Sequence, residues 1–396
     1  MKALRDGDVH AVSVGGTLFR CEVNKVKMKK IVFYYPSMNI GGAQLLFVRL
    51  ANEISKLSGY SASVVDFLDG YIANNININV SHIIYENKSR PKVPADCIVV
   101  TPISNIINVY NKIELKENIK FIFWGIHPEN TIDILRGARY LRKFGQFGET
   151  ILKLINIRCY LSIRRAILLG LSKNSVVFMD SANRDRTFKF YNIHQTYNSF
   201  LPIPVPVESE LQDGGAVSKR SVAWIGRLSS EKIHSLIYSM TELDKIGKFN
   251  FHIVGDGKYR HLLNSQCYKN LNIIYHGYIK NTGLSRLLLD NKIGLVFAMG
   301  TSVLESGMMA LPSILVNPSY EPISPNYSPD WIYEAQDYTL GKFEYNSKDL
   351  SFRDMINDYL LDDKNLIGLK CRDYVLRNHS LCSVTSKLLA QASLAS

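Results

Sequence analysis

The 396-residue sequence predicts an α/β protein of two similar domains facing each other across a central cleft. Apolar runs of strand length alternate with segments of helical period on both sides of residue 205. Several of those runs end in glycine turns that lead straight into a helix. Between the halves lies FLPIPVPVESELQDGGAVSKRS (200–221), prolines followed by a polar, glycine-containing stretch, which reads as a linker. The predicted domains are 28–205 and 206–375, with a C-terminal helix over 376–396 that can pack back on the first domain. Residues 1–27 lack a clean period and read as a loose tail or an overlong start, because Met28 opens MKKIVFYYPS like a natural N-terminus.

In the first domain KIVFYY (30–35) is a buried strand, and Gly41 and Gly42 form the turn after it. Ala43, Leu46, Phe47, Leu50, Ala51 and Ile54 then recur at helical spacing as one apolar stripe. SASVVDF (61–67), CIVVT (97–101), IKFIFW (119–124) and SVVFMD (175–180) are further strands, the last leading to a helix start at Ser181. The second domain repeats the pattern with SVAWI (221–225), FHIV (251–254), NIIYH (272–276), KIGLVFA (292–298) and PSILV (312–316). Helices fill the gaps, and 350–393 reads as two or three more. Alternating strands and helices imply parallel sheets with right-handed crossovers, and ligands at the carboxyl ends of the strands.

A formal net charge of +12 implies an anionic partner: a phosphorylated substrate, a membrane surface or nucleic acid. From Arg136 to Lys173 stand nine Lys or Arg residues and one acid, Glu149. Large apolar residues interleave them, among them Tyr140, Phe144, Phe147, Leu154 and Ile155. Such a segment suits an anionic bilayer, or else is a solvated helix face over an ordinary core. Nucleic acid is disfavoured because no nucleic-acid motif accompanies the charge. The six cysteines show no CxxC spacing and read as reduced, buried thiols of a cytoplasmic protein without a metal site. No stretch resembles a secretory signal or an uninterrupted membrane span. The one DxD triplet, Asp6-Gly7-Asp8, falls in the tail, away from any strand.

Four groups stand where strands end. Gly41-Gly42-Ala43-Gln44 opens a helix, and glycines there let backbone N–H groups approach an anion. In GRLSSEK (226–232), Arg227 and Lys232 could stabilise a departing diphosphate without a metal; the plainer alternative is two surface cations at a helix start. VGDGKYRHLL (254–263) is a tight strand-to-helix turn through Gly255 and Gly257. In FAMGTSVLESGMMALPSILV (297–316), Gly300, Thr301 and Ser302 offer N–H groups to a phosphate, while Glu305 could accept from ribose hydroxyls or merely cap its helix.

Together these motifs, from about Met28 to Val316, resemble the retaining GT-B glycosyltransferases of family 4, with two Rossmann-like domains. Gly41-Gly42-Ala43-Gln44 matches the family's GG[AT][EQ] loop. Gly226, Arg227 and Lys232 match its G-R-x-x-x-x-K segment, and Val254 to Gly257 its [IV]-G-[DE]-G turn. Glu305 matches its second glutamate, which holds the ribose, and Pro312 its final proline. The family's first glutamate falls at Phe297 and is missing, so the loop resembles a G-T-S-x-L-E variant of bacterial surface-polysaccharide enzymes. His127, in FWGIHPEN (123–130), stands where many members place a histidine near the donor sugar.

The resemblance implies transfer of a sugar from a nucleotide-diphosphate donor to a glycan or lipid-linked acceptor in lipopolysaccharide or capsule synthesis. Configuration would be retained, with no cofactor or metal. The enzyme would be cytoplasmic or peripheral at the inner face of the membrane. A nucleotide-sugar epimerase on the same fold, and a non-catalytic partner subunit, stay open as alternatives.

Overall fold

A computed structural model describes residues 11–14, 17–20, 28–38, 41–86, 89–114, 117–207, 217–279, 281–343 and 351–395. The Asp6-Gly7-Asp8 triplet lies outside them. Within the N-terminal extension, β1 (Ala11–Val14) and β2 (Thr17–Arg20) pair as an antiparallel hairpin, where no regular element was expected. The local signal was there: short runs containing strand-forming residues flank Gly15-Gly16, a dipeptide that suits a two-residue hairpin loop.

The first domain holds β3 (Lys29–Tyr34), β4 (Tyr60–Asp66), β5 (Ser81–Ile84), β6 (Cys97–Pro102), β7 (Lys120–Gly125) and β8 (Val176–Phe178). Their spatial order is β5-β4-β3-β6-β7-β8, and every pairing is parallel. The second domain holds β9 (Ser218–Ile225), β10 (Phe249–Val254), β11 (Leu271–Gly277), β12 (Ile293–Ala298), β13 (Ser313–Leu315) and β14 (Asp330–Trp331). Their order, β11-β10-β9-β12-β13-β14, repeats the first, except that the edge strand β14 runs antiparallel. The sequence reading missed β5 and β14. Both are short edge strands with too few apolar residues to show a period, and pairing with a neighbour makes them strands.

Side-chain alternation along the strands builds two cores on the first sheet. Val32, Val99, Phe121, Phe123 and Phe178 face one side, against Leu152, Ile163 and Ile167 of the basic segment. Ile31, Phe33, Val64, Ile122 and Trp124 face the other, against Leu46, Phe47 and Leu50 of the helix Gly42–Ile54. Val384, Leu388 and Ala392 of the last helix, Leu381–Leu394, complete that second core, so the C-terminus belongs physically to the first domain. The chain therefore passes between domains twice, and the passages touch: Val205 N donates to His379 O at 2.8 Å, and His379 Nδ1 bonds Ile203 O at 2.9 Å. Of the cysteines expected to be buried, Cys97 and Cys371 are, but Cys267 and Cys382 are exposed. Among the described residues no helix is long and apolar enough to cross a membrane.

Candidate functional site

In each sheet the strand order reverses beside the first strand, at β3 and β6 in one domain and at β9 and β12 in the other. Connections leave such a point toward opposite faces and open a crevice at the carboxyl ends of the strands. The β9–β12 register pairs Ile225 with Ala298, so Gly226-Arg227 and Met299-Gly300 leave the second sheet side by side.

Backbone pairing continues past those ends. Gly226 N donates to Val254 O and Leu228 N to Asp256 O, both at 3.0 Å. A Cβ at Gly255, whose φ is +140°, would lie 2.0 Å from Gly226 O, and one at Gly257 would lie 2.4 Å from Leu228 O. These glycines let the second turn lie flat against the loop that carries Arg227. Arg227 is exposed and Lys232 half-buried. Burial pulls the Lys232 pKa down; Glu231 opposes that pull and Arg227 adds to it. The Glu231 carboxylate accepts from the Ser229 hydroxyl at 2.5 Å and the Ser230 hydroxyl at 3.2 Å. Among the described residues, neither Arg227 nor Lys232 joins any of the ion pairs found. Two neighbouring cations, one of them partly desolvated, thus stand together with Glu231 near Lys232 but with no ion pair formed among the described residues.

Beside them Gly300, at φ +68°, starts the helix Thr301–Met308, whose first turn has no side-chain cap. Gly300 N is taken by Leu340 O at 3.0 Å, but Thr301 is exposed and Ser302 half-buried at the helix start. Glu305 lies one turn further in, and its Oε1 stands 3.8 Å from Nη2 of Arg49, which comes from the first domain. The helix that carries Arg49 begins at the Gly41-Gly42 turn. Gly41 caps it in extended conformation, with Gln44 folded back so that its Nε2 donates to Ser37 Oγ at 2.9 Å.

Opposite, His127 is exposed just past β7, and its Nδ1 accepts from Glu129 N at 3.2 Å. Burial pushes Glu129 up, but Arg186 and Arg142, each 2.8 Å away, outweigh it and hold the carboxyl below its usual range. Arg186 also pairs with Glu149 at 2.7 Å. Tyr320, from the loop after β13, is pushed up by burial and then by Glu231 of its own domain and Glu129 of the other. Tyr320 itself stacks on Phe343 with ring centroids 5.3 Å apart.

No protein-family model and no curated protein matches the chain. Solved structures do. Anabaena HepE, in complex with UDP-glucose, aligns over 92% of this chain and 99% of its own, at 12% identity and a TM-score of 0.54. TarM aligns over 93% and 99%, also at 12% identity, with a TM-score of 0.56; the S. aureus protein has been seen with UDP and α-GlcNAc-glycerol. A glycosyltransferase from Rickettsia africae aligns over 92% and 98% at 12% identity and a TM-score of 0.53. The chain has the GT-B fold.

On this GT-B frame, Gly226, Arg227, Lys232, Gly255, Gly300, Thr301, Ser302 and Glu305 gather at one switch point of the second domain. Gly41 and Gly42 lie at the other domain's matching turn, and His127 two strands further along that sheet. Phe297 lies within the run 292–298 read as a strand: it is fully buried in β12, stacked between Phe251 and Phe352, and only Met299 and Gly300 separate β12 from the next helix. Position 297 therefore offers nothing to the cleft. Arg49, the Glu129–Arg186 network and the Tyr320–Phe343 stack were not read from the sequence. Each depends on residues distant in the chain, and none carries a local motif.

The basic segment folds as Ala138–Leu141, Gly145–Ile155 and Ile157–Ser172. Gly148 and Leu152 of the middle helix face inward, whereas Phe147, Leu154 and Ile155 point into solvent, joined by Phe144 and Tyr140. Arg136, Arg139, Lys143, Arg158 and Arg165 are exposed among them. Arg142 and Arg164 serve the fold, the first pairing with Glu129 and Asp133, the second bonding Tyr191 O at 3.0 Å.

Proposed function

We propose that the protein is a glycosyltransferase that moves a sugar from a nucleotide-diphosphate donor to a glycan or lipid-linked acceptor. The observation that carries this reading is the pair Arg227 and Lys232, cations that form no ion pair among the described residues, set beside the uncapped helix start at Thr301 in a GT-B cleft. A diphosphate supplies direct partners for both cations. As the anomeric carbon loses its phosphate oxygen, the acceptor oxygen bonds to that carbon through an oxocarbenium-like state. The acceptor hydroxyl's proton passes to the departing diphosphate, and the two cations stabilise the charge that develops there, in place of a metal. Glu305 accepts from the ribose hydroxyls, and His127 stands on the sugar side. Retention of configuration follows from the resemblance to family 4, as does a role in surface-polysaccharide synthesis.

Of the two acceptors, work at an anionic membrane surface favours the lipid-linked one. This rests on the solvent-facing apolar residues of 140–155 and the cations around them. A second reading, a non-catalytic GT-B partner, draws on Phe297, since that position contributes no carboxylate. A thermal-shift screen of nucleotide sugars with EDTA present, repeated on Arg227→Ala and Glu305→Ala, separates the two. A shift from one nucleotide sugar, lost in both variants, supports transfer. No shift from any of them, in buffer or with vesicles, sinks it and favours the partner subunit.

A further inference from the structure

Arg49 stands outside every motif of the nucleotide site, yet it reaches that site from the opposite domain. Its Nη2 lies 3.8 Å from Glu305 Oε1, and both side chains are largely enclosed, 18% and 19% exposed. Its Nη1 points to the carbonyl of Pro204, in the linker, at 3.5 Å. Burial pulls the Arg49 pKa down, while Glu305 and then Tyr71 counter it. A guanidinium this enclosed needs a nearby anion, and removing Glu305 takes away the carboxylate nearest to it. The fork geometry of arginine matters here, because one group touches first-domain helix, linker and second-domain helix together.

We propose that Arg49 is a positioning residue for the nucleotide ribose: it holds the Glu305 carboxylate in place and links ribose recognition to the approach of the two domains. The inference rests on the reading of Glu305 as the ribose acceptor. A carboxylate has room for about four hydrogen bonds, so one oxygen can meet Arg49 while ribose hydroxyls donate to the remaining sites. When the domains separate, Glu305 loses this partner from the opposite domain. Ribose discrimination then belongs to the closed cleft rather than to the second domain alone.

The test measures binding of UDP, GDP, ADP and CDP to the full chain by calorimetry. The tightest binder is then compared with its 2′-deoxy form. Wild type is expected to prefer the ribose form by about tenfold, the scale of one hydrogen bond to a charged group. Arg49→Met is expected to lose most of that preference while binding the deoxy form nearly as wild type does, and Arg49→Lys to keep part of it. In a Glu305→Gln background, Arg49→Met should change nothing further. Equal weakening of ribose and deoxy forms by Arg49→Met, or full additivity with Glu305→Gln, overturns the proposal. If Glu305→Gln itself leaves the preference intact, the ribose reading of Glu305 fails. If Glu305→Gln abolishes it and Arg49→Met does not, only the role of Arg49 fails. Binding of none of the four overturns both. Melting curves without nucleotide confirm that each variant is folded, and Arg49→Gln replaces the Met variant should that one not fold.

Discussion

Replacing Phe144 and Phe147 with Ser should detach the protein from anionic vesicles without unfolding it. Phe144 is 66% exposed and Phe147 72%, with Leu154 at 66% and Ile155 at 61% beside them. Full burial of such a side chain contributes about 1.5–3 kcal/mol, so the exposed two-thirds of each ring offers about 1–2 kcal/mol to a bilayer interface. The double substitution removes about 2–4 kcal/mol, or about 30-fold at the low end, since each 1.4 kcal/mol is tenfold. Arg136, Arg139 and Lys143 each add about 1 kcal/mol near an anionic surface at moderate salt, so replacing all three with Gln has a comparable effect. The assay is co-sedimentation with phosphatidylglycerol vesicles against neutral phosphatidylcholine vesicles, at low and high salt. The Phe variant should lose binding at every salt concentration; the charge variant should lose only the anionic preference. Both should melt as wild type does, because these side chains lie outside the cores. Undiminished sedimentation of the double Phe variant, or equal wild-type binding to neutral and anionic vesicles, refutes the reasoning.

Other consequences follow from the same geometry. Lys232→Ala should weaken binding of the responsive nucleotide sugar by about 10- to 100-fold, the worth of a charged hydrogen bond, with calorimetry as the readout; unchanged affinity would take the diphosphate away from Lys232. Gly255→Ala puts a methyl 2.0 Å from Gly226 O at φ +140°, so urea unfolding should show a loss of about 1–3 kcal/mol or more. Phe297→Ala should cost about 3–5 kcal/mol as a core cavity, and Phe297→Glu should yield misfolded protein rather than a gain in transfer. His252 and His276 stack with Nδ1 and Nε2 2.9 Å apart, and burial pushes His252 down to about 4 and His276 down as well. The folded state therefore holds them neutral while the unfolded chain takes up protons below its ordinary value near 6.5. Stability is fully present above that value and is lost as pH falls toward about 4. Replacing both with Gln should flatten urea midpoints across that window, apart from the share of His379, which burial also pushes down to about 4.

Two α/β sheets and most strands were legible because each rests on a local signal. The apolar runs 119–124 and 292–298 had to be buried strands, and the glycines at 226, 255 and 300 marked where those strands stop. Where an added Cβ would lie 2.0 Å from a neighbouring backbone oxygen, only glycine fits, so the sequence must declare it. The signal of the tail hairpin is equally local, with Gly15-Gly16 between two short runs that hold Val and Phe.

What the sequence alone determined was the chemistry available at each strand end: cations at 227 and 232, a carboxylate at 305, an imidazole at 127. Strand order decided which of them meet. Placing β9 beside β12 sets the loop of Arg227 next to the helix start at Thr301, far apart in the chain, and no spacing in the sequence encodes that neighbour. Tertiary packing also decided that Phe297 is core and not site, that Phe147 and Leu154 face water while Leu152 does not, and that Arg49 meets Glu305. Periodicity shows that a helix has an apolar stripe, but a stripe is buried only if another element lies over it, and a charge finds its partner only when two distant segments close on it. Those outcomes follow from the free energy of the whole packed chain, which no local window contains.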